Sequence, residues 1–133
     1  MKNILRTTAT VSCALLFATA LYAQREERRD ERRDDNYWAG RLFQRVHEDL
    51  DQIQRDTPKL SSDQYRLVET KRDLEDLQRK MENHGYDQPE LDRTISAVER
   101  VMADNNMSAR NRELLQEDLR RLRDFREHHD GYR

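Results

Sequence analysis

Apolar residues recur at steps of three or four along most of the chain, which is the spacing of a helix with one buried face. Four such runs cover residues 36–56, 62–84, 88–104 and 108 to about 128. The chain contains only 3 Gly and 2 Pro, and an all-β fold would need more turn residues than that. The pattern therefore predicts an all-α fold.

Each run carries an apolar stripe that a single helix cannot bury by itself. Phe43 lies in the first stripe with Trp38 at its edge, and Leu67 and Leu74 lie in the second. We expect these four residues to form either a core face or a partner-binding face. Short connections favour antiparallel neighbours. The sequence thus predicts a small antiparallel up-down bundle of about four helices, or two helical hairpins that close fully only on dimerising.

Helix-capping residues occur where the second, third and fourth helices are predicted to begin. Ser61 is followed three residues later by Gln64, which is the arrangement of a capping box. Asp87 and Ser108 are suitable caps for the third and fourth helices, and Gly85 is a typical stop for the second. These residues set the expected helix boundaries.

The beginning of the chain has the layout of an export signal. Two basic residues precede an uncharged segment, residues 7–23, which ends in small residues. We expect residues 1–23 to be removed by cleavage between Ala23 and Gln24, with cleavage after Ala20 as the second choice. An uncleaved anchor is the alternative, although the segment is short for one. The protein is thus expected to be exported, periplasmic or secreted, without stable membrane insertion after cleavage.

The segment that follows is dominated by charge. Every residue from 25 to 35 is charged, with both signs present and no apolar side chain to bury. Residues 24–35 are therefore expected to be a disordered, solvated spacer. The alternative is a charged segment that attracts a partner protein or cell-wall polymers. Residues 36–129 would form the helical domain and residues 130–133 a tail.

The charge balance and the cysteine content narrow the possible partners. The chain has 25 basic and 27 acidic residues, whereas a nucleic-acid-binding protein needs a positive face for phosphates. We therefore expect no nucleic acid as a partner. The one cysteine, Cys13, lies in the export segment, so the cleaved chain would have no disulfide.

The sequence shows no recognisable catalytic or metal-binding pattern. His47 and Glu48 resemble the start of a zinc-protease motif, but Asp51 occupies the position of its second histidine. The adjacent histidines within 128–130 would point about 100° apart on a helix, which is poor chelating geometry, and we expect a frayed tail there. No phosphate-binding Gly-rich loop or nucleophile elbow is present. We expect no enzymatic activity, no cofactor and no metal.

Residues 60–64, Leu-Ser-Ser-Asp-Gln, resemble the Leu-Thr-x-x-Gln signature of the Spy-like periplasmic stress chaperones. A second copy occurs at residues 107–111, and residues 85–87 resemble a Phe-Asp turn of the same family. The resemblance covers residues 60–120 at most. It implies a dimeric, cradle-shaped helical protein that binds unfolded clients without ATP.

The sequence as a whole favours a non-enzymatic envelope protein that binds other proteins, chaperone-like or related to envelope stress. Its expected partners are protein clients or a second copy of the chain in a homodimer. The alternative is a passive structural protein of the envelope that associates with itself through its helices.

Overall fold

The computed structural model describes residues 37–131, and these form four helices without any strand. Helix α1 covers residues 37–56, and α2, α3 and α4 cover Ser62–His84, Gln88–Asp104 and Ala109–Asp130. The predicted all-α fold is confirmed. The predicted export segment, its cleavage point and the charged spacer lie outside the described residues.

Consecutive helices pack as antiparallel hairpins. Arg66, near the start of α2, donates to the Asp104 carbonyl oxygen at the end of α3, at 3.1 Å. Arg112, in the first turn of α4, donates to the Met102 carbonyl oxygen near the end of α3, at 2.7 Å. Because each start meets the end of a neighbouring helix, the chain runs up and down through the bundle.

Helix α1 closes the bundle because it contacts both α2 and α4. The Lys71 ammonium group of α2 pairs with the Asp51 carboxylate of α1. In the first half of α1, the Phe43 ring lies edge-on to Phe125, near the end of α4, with 5.7 Å between ring centroids. The single chain thus completes an up-down four-helix arrangement rather than two open hairpins.

The four apolar stripes meet in one core. Its largest fully buried side chains come from every helix and are Phe43, Leu50, Ile53, Leu67, Leu74, Leu77, Leu91, Leu115 and Leu122. Burial of this apolar surface is the main force that holds the helices together. Among the described residues, no helix has an apolar run long enough to span a lipid bilayer.

Side-chain oxygens cap the starts of α2, α3 and α4 by accepting a hydrogen bond from the backbone N–H three residues on. The caps are Ser61, Asp87 and Ser108, with N···O distances of 3.1, 3.0 and 3.2 Å. The capping-box hydrogen bond predicted for the Gln64 side chain is wrong, because its Oε1 is buried and accepts no hydrogen bond from a described residue. The Ser61 hydroxyl instead donates to the Pro58 carbonyl oxygen at 2.7 Å and ties the helix start to the preceding turn.

Helix α4 extends further than the sequence predicted. It continues to Asp130, so the frayed tail expected at residues 128–130 is wrong. The His129 ring stacks on Tyr86 with 4.5 Å between centroids and lies 4.3 Å from the Phe125 ring. The Tyr86 hydroxyl donates to Asp130 at 3.4 Å. These contacts with the α2–α3 connection hold the last turn in place.

Candidate functional site

The four residues predicted as a core face or partner-binding face differ in their exposure to solvent in the structure. Phe43, Leu67 and Leu74 lie inside the bundle, each at most 1% exposed, whereas Trp38 is 54% exposed. The first three therefore hold the helices together. Of the four, Trp38 alone presents a large surface to solvent.

Trp38 belongs to a groove between the first half of α1 and the second half of α4. Its volume is about 710 Å³, within the range of ligand clefts. We call it the α1–α4 groove and define it by six lining side chains: Tyr37, Trp38, Arg41, Arg45, Arg120 and Arg121. It is open to solvent along one side, which suits a chain segment better than an enclosed small molecule.

Two aromatic side chains supply the apolar part of the groove. Tyr37 is 67% exposed, and its hydroxyl accepts a hydrogen bond from Arg41 at 3.4 Å. The Trp38 ring stacks on the buried Phe125 ring at 6.1 Å, with 17° between the planes. The core thus supports one face of Trp38 and leaves much of the ring exposed. Aromatic groups held in this way contribute strongly to binding because little conformational freedom remains to be lost.

Four arginines supply the positive charge of the groove, two from α1 and two from α4. On α4, Arg120 pairs with Glu117 at 2.8 Å and with Asp124 at 2.7 Å, and Arg121 pairs with Glu117 at 2.9 Å. These hydrogen bonds, chiefly that from Arg120, lower the pKa of Glu117 to about 2. Arg45 of α1 makes no ion pair with another described residue. Its guanidinium is therefore more available for a bound acid than those of Arg120 and Arg121.

The groove differs in charge from the chain as a whole. Its lining contains four arginines and two acidic residues, Glu48 and Asp124, and Glu117 pairs with two of those arginines, which still leaves a positive excess, while the full chain has a net charge of −2. A local positive excess on an acidic protein attracts acidic groups to that place. The groove can therefore bind carboxylates through its arginines and apolar side chains through its aromatic pair.

A buried acidic side chain of α4 lies one helical turn before Arg121 of the groove lining. Asp118 of α4 is 1% exposed, and neither of its carboxylate oxygens has a hydrogen-bond partner. Asp49 of α1 lies close enough to hydrogen-bond it when either carboxyl holds a proton. Burial, reinforced by the negative charge of Asp49, raises the pKa of Asp118 to about 7, while Arg121 and Arg45 act in the opposite direction. The buried acid and the groove therefore share two arginines.

Sequence reasoning missed Asp118, although its spacing contains a signal. Asp118 lies three residues after Leu115 and four before Leu122, which places it on the apolar stripe of α4. Both leucines are fully buried. An acidic residue at the centre of an apolar stripe is uncommon, because an unpaired buried charge is costly. That position distinguishes Asp118 from the many acids on the outer helix faces.

The histidines and carboxylates form no metal site within residues 37–131, where no three candidate ligands come together. His47 lies 3.6 Å from Asp51, one helical turn away, and Asp51 pairs with Lys71 as well. This arrangement is an ordinary surface ion-pair cluster. The prediction that no metal or cofactor is bound stays a prediction.

The two segments that resemble the chaperone signature lie at the same end of the bundle. Residues 60–64 lead into α2 and residues 107–111 lead into α4. The Asn106 backbone N–H donates to Asp63 Oδ2 at 2.9 Å, so the two helix starts are linked. Leu60 is fully exposed and has a positive φ of 65°. Both segments thus begin helices that run parallel to each other.

A scan of protein-family models finds no match for this chain, and searches of curated proteins and of solved structures find none either. The resemblance to the Spy-like chaperones is neither supported nor opposed by these comparisons and stays a prediction. Over residues 37–131, the fold and the site define a small all-α bundle that carries an aromatic and arginine-lined groove.

Proposed function

We propose that the protein is an exported, non-enzymatic binding protein that holds acidic segments of other proteins in the α1–α4 groove. The observation that carries the proposal is the arrangement of Trp38 and Tyr37, both more than half exposed, beside four arginines. Trp, Tyr and Arg are the residue types that dominate the binding free energy at protein interfaces. The proposed export rests on the uncharged segment 7–23 and the small residues that end it.

The proposed client is an acidic segment that also carries an apolar side chain. Its carboxylates would pair with the arginines, above all with Arg45, which makes no ion pair with another described residue. Its apolar side chain would cover the exposed part of the Trp38 ring. Because the groove is open to solvent, it accommodates a segment that belongs to a longer chain.

Chaperone-like activity in this proposal comes from the groove rather than from an open cradle. The apolar stripes that a cradle would offer to clients are used in the core, as the burial of Leu67 and Leu74 shows. The contact area that remains is small, and small interfaces are weak and transient. Weak, reversible capture without a chemical step is what a holding function requires.

The proposal is tested by titrating the full chain into a fluorescently labelled peptide of alternating Glu and Leu residues and following fluorescence anisotropy. We expect saturable binding that weakens as salt is raised, because the groove arginines are exposed and screened by ions. A Lys and Leu peptide of the same length should bind much less. Trp38 is the only tryptophan, so its own emission reports on the groove directly.

A charge reversal at the groove separates specific binding from general electrostatic attraction. Arg45→Glu should weaken the affinity for the Glu and Leu peptide about tenfold or more, because a carboxylate then meets a carboxylate. Arg110→Glu, an exposed position near the start of α4, changes the net charge equally and should have little effect. Equal losses in both variants, or no saturable binding, would overturn the proposal. A self-association that only Arg45→Glu abolishes would instead favour a structural, self-assembling protein.

A further inference from the structure

The carboxylate of Asp118 is buried in the core at 1% exposure, and neither of its oxygens has a hydrogen-bond partner among the described residues. The charged groups that act most on Asp118 are Asp49 and Arg45 of α1 and Arg121 of its own helix. No charged group of α2 or α3 is among the groups that shift the pKa of Asp118 most. Arg45 and Arg121 also line the α1–α4 groove. Any change in the charge of Asp118 therefore acts on two of the four groove arginines.

We propose that protonation of the buried Asp118 carboxyl controls the positive charge that the α1–α4 groove presents, so that acidic segments bind more tightly in weakly acidic than in weakly alkaline solution. This inference rests on the proposed function, whose site it regulates. It concerns the same groove but a different group of atoms, which is not part of the groove lining.

The mechanism follows from the charges on the two sides of the arginines. When Asp118 holds a proton, its carboxyl group is uncharged and can donate a hydrogen bond to Asp49. When that proton leaves, a second negative charge appears in a poorly solvated place. The guanidinium groups of Arg45 and Arg121 are then attracted toward the core and their field in the groove is partly cancelled. Acidic ligands are held less strongly in that state.

The pH range in which this occurs is set by the buried acid. Desolvation raises the pKa of Asp118 to about 7, so its charge changes between about pH 6 and pH 8. The Asp and Glu residues of a client have ordinary pKa values near 4 and stay ionised throughout that range. Any change in affinity over that range therefore comes from the protein. One added charge beside a partly solvated groove should change the affinity about three- to tenfold.

The experiment measures the affinity for the labelled Glu and Leu peptide at pH 6 and pH 8, at constant ionic strength, with the full chain. For the wild type we expect the dissociation constant to rise about three- to tenfold from pH 6 to pH 8. Asp118→Asn cannot ionise, so its dissociation constant should stay near the wild-type value at pH 6 across the whole range. The four histidines are present in both proteins, so the difference between the two profiles isolates the effect of Asp118.

A second variant keeps the inference testable if Asp118→Asn does not fold. Asp49→Asn leaves the buried acid in place but removes the neighbouring charge that raises its pKa. The affinity should then fall at a lower pH than in the wild type, and the carbon NMR signal of the Asp118 carboxyl should titrate at that same lower pH. A midpoint that does not move in either measurement would contradict the proposed control by Asp118.

The possible failures can be told apart. If the peptide does not bind at pH 6 or at pH 8 to any variant, the proposed function is wrong and the regulation falls with it. If the peptide binds and Arg45→Glu abolishes binding, but the wild type and Asp118→Asn have the same pH profile, only the regulation is wrong. A wild-type profile that is flat from pH 6 to pH 8 leads to the same conclusion.

Discussion

Asp118 lowers the stability of the fold whenever it is ionised, because its carboxylate is 1% exposed and has no hydrogen-bond donor. Its pKa is about 7 in the folded chain against an ordinary value of 3.8. The folded protein therefore binds the proton more tightly than the unfolded chain does. The resulting stabilisation is fully present below pH 4 and is lost as the pH rises to about 7.

Replacing this acid by its neutral isostere should remove that dependence. Asp118→Asn should gain stability relative to the wild type as the pH rises. The difference in free energy of unfolding between the two proteins should increase by about 2–4 kcal/mol from pH 4 to pH 8, since each pKa unit corresponds to about 1.4 kcal/mol. Urea unfolding of both proteins at pH 4, 6 and 8 measures the difference. A gap of the same size at all three pH values would show that Asp118 is not the group that titrates.

At the residue scale, the sequence indicates where a side chain is unusual but not what compensates for it. The spacing of Asp118 between Leu115 and Leu122 places an acid on the apolar stripe. The neighbours that determine its charge, Asp49 and Arg45, are about 70 residues earlier in the chain. Only the packing of α1 against α4 brings them together, and no local pattern specifies that packing.

At the scale of single helices, boundaries are well predicted where the signal is local. The caps of α2, α3 and α4 act through hydrogen bonds that span three residues, so they can be recognised in the sequence. The end of α4 is different. His129 and Asp130 stay helical because they contact Tyr86, which belongs to the α2–α3 connection. Contacts between residues that are distant in the chain have no counterpart in a capping motif.

The two serine caps should differ in their contribution to stability. Ser108→Ala removes one hydrogen bond from a helix start and should cost about 1 kcal/mol. Ser61→Ala should cost more, because the Ser61 hydroxyl also donates to Pro58 in the preceding turn. Thermal unfolding of the two variants, with Ser62→Ala as an exposed neighbouring control, measures the effect. If Ser61→Ala is the milder of the two, the bond to Pro58 contributes little.

At the scale of the whole bundle, the apolar stripes predicted four helices but left their closure open. A stripe with Phe43 at its centre fits a core, a dimer interface and a client-binding face equally well, because each of them buries the same side chains. Within the described residues, the contact of Phe43 with Phe125 places this stripe in the core. Trp38 could not be placed by the same pattern, because it lies at the edge of the stripe.

The closure of the bundle also builds the groove, and this connection can be tested through Phe125. Its ring contacts Phe43 in the core and supports Trp38 from below. Phe125→Leu should lower the free energy of unfolding by about 1–2 kcal/mol and also shift the Trp38 emission to longer wavelength in the folded protein, because the indole loses its stacking surface. Binding of the Glu and Leu peptide should weaken in parallel.

A core change at the far end of α1 from Trp38 separates the loss of stability from the change at the groove. Ile53→Val on α1 should cost about 0.5–1.5 kcal/mol, yet it lies 15 residues beyond Trp38 along the sequence and should leave the emission and the peptide affinity unchanged. An identical red shift in both variants would mean that Trp38 reports only on general loosening of the bundle. A shift confined to Phe125→Leu would mean that one side chain of α4 both closes the core and positions the aromatic part of the groove.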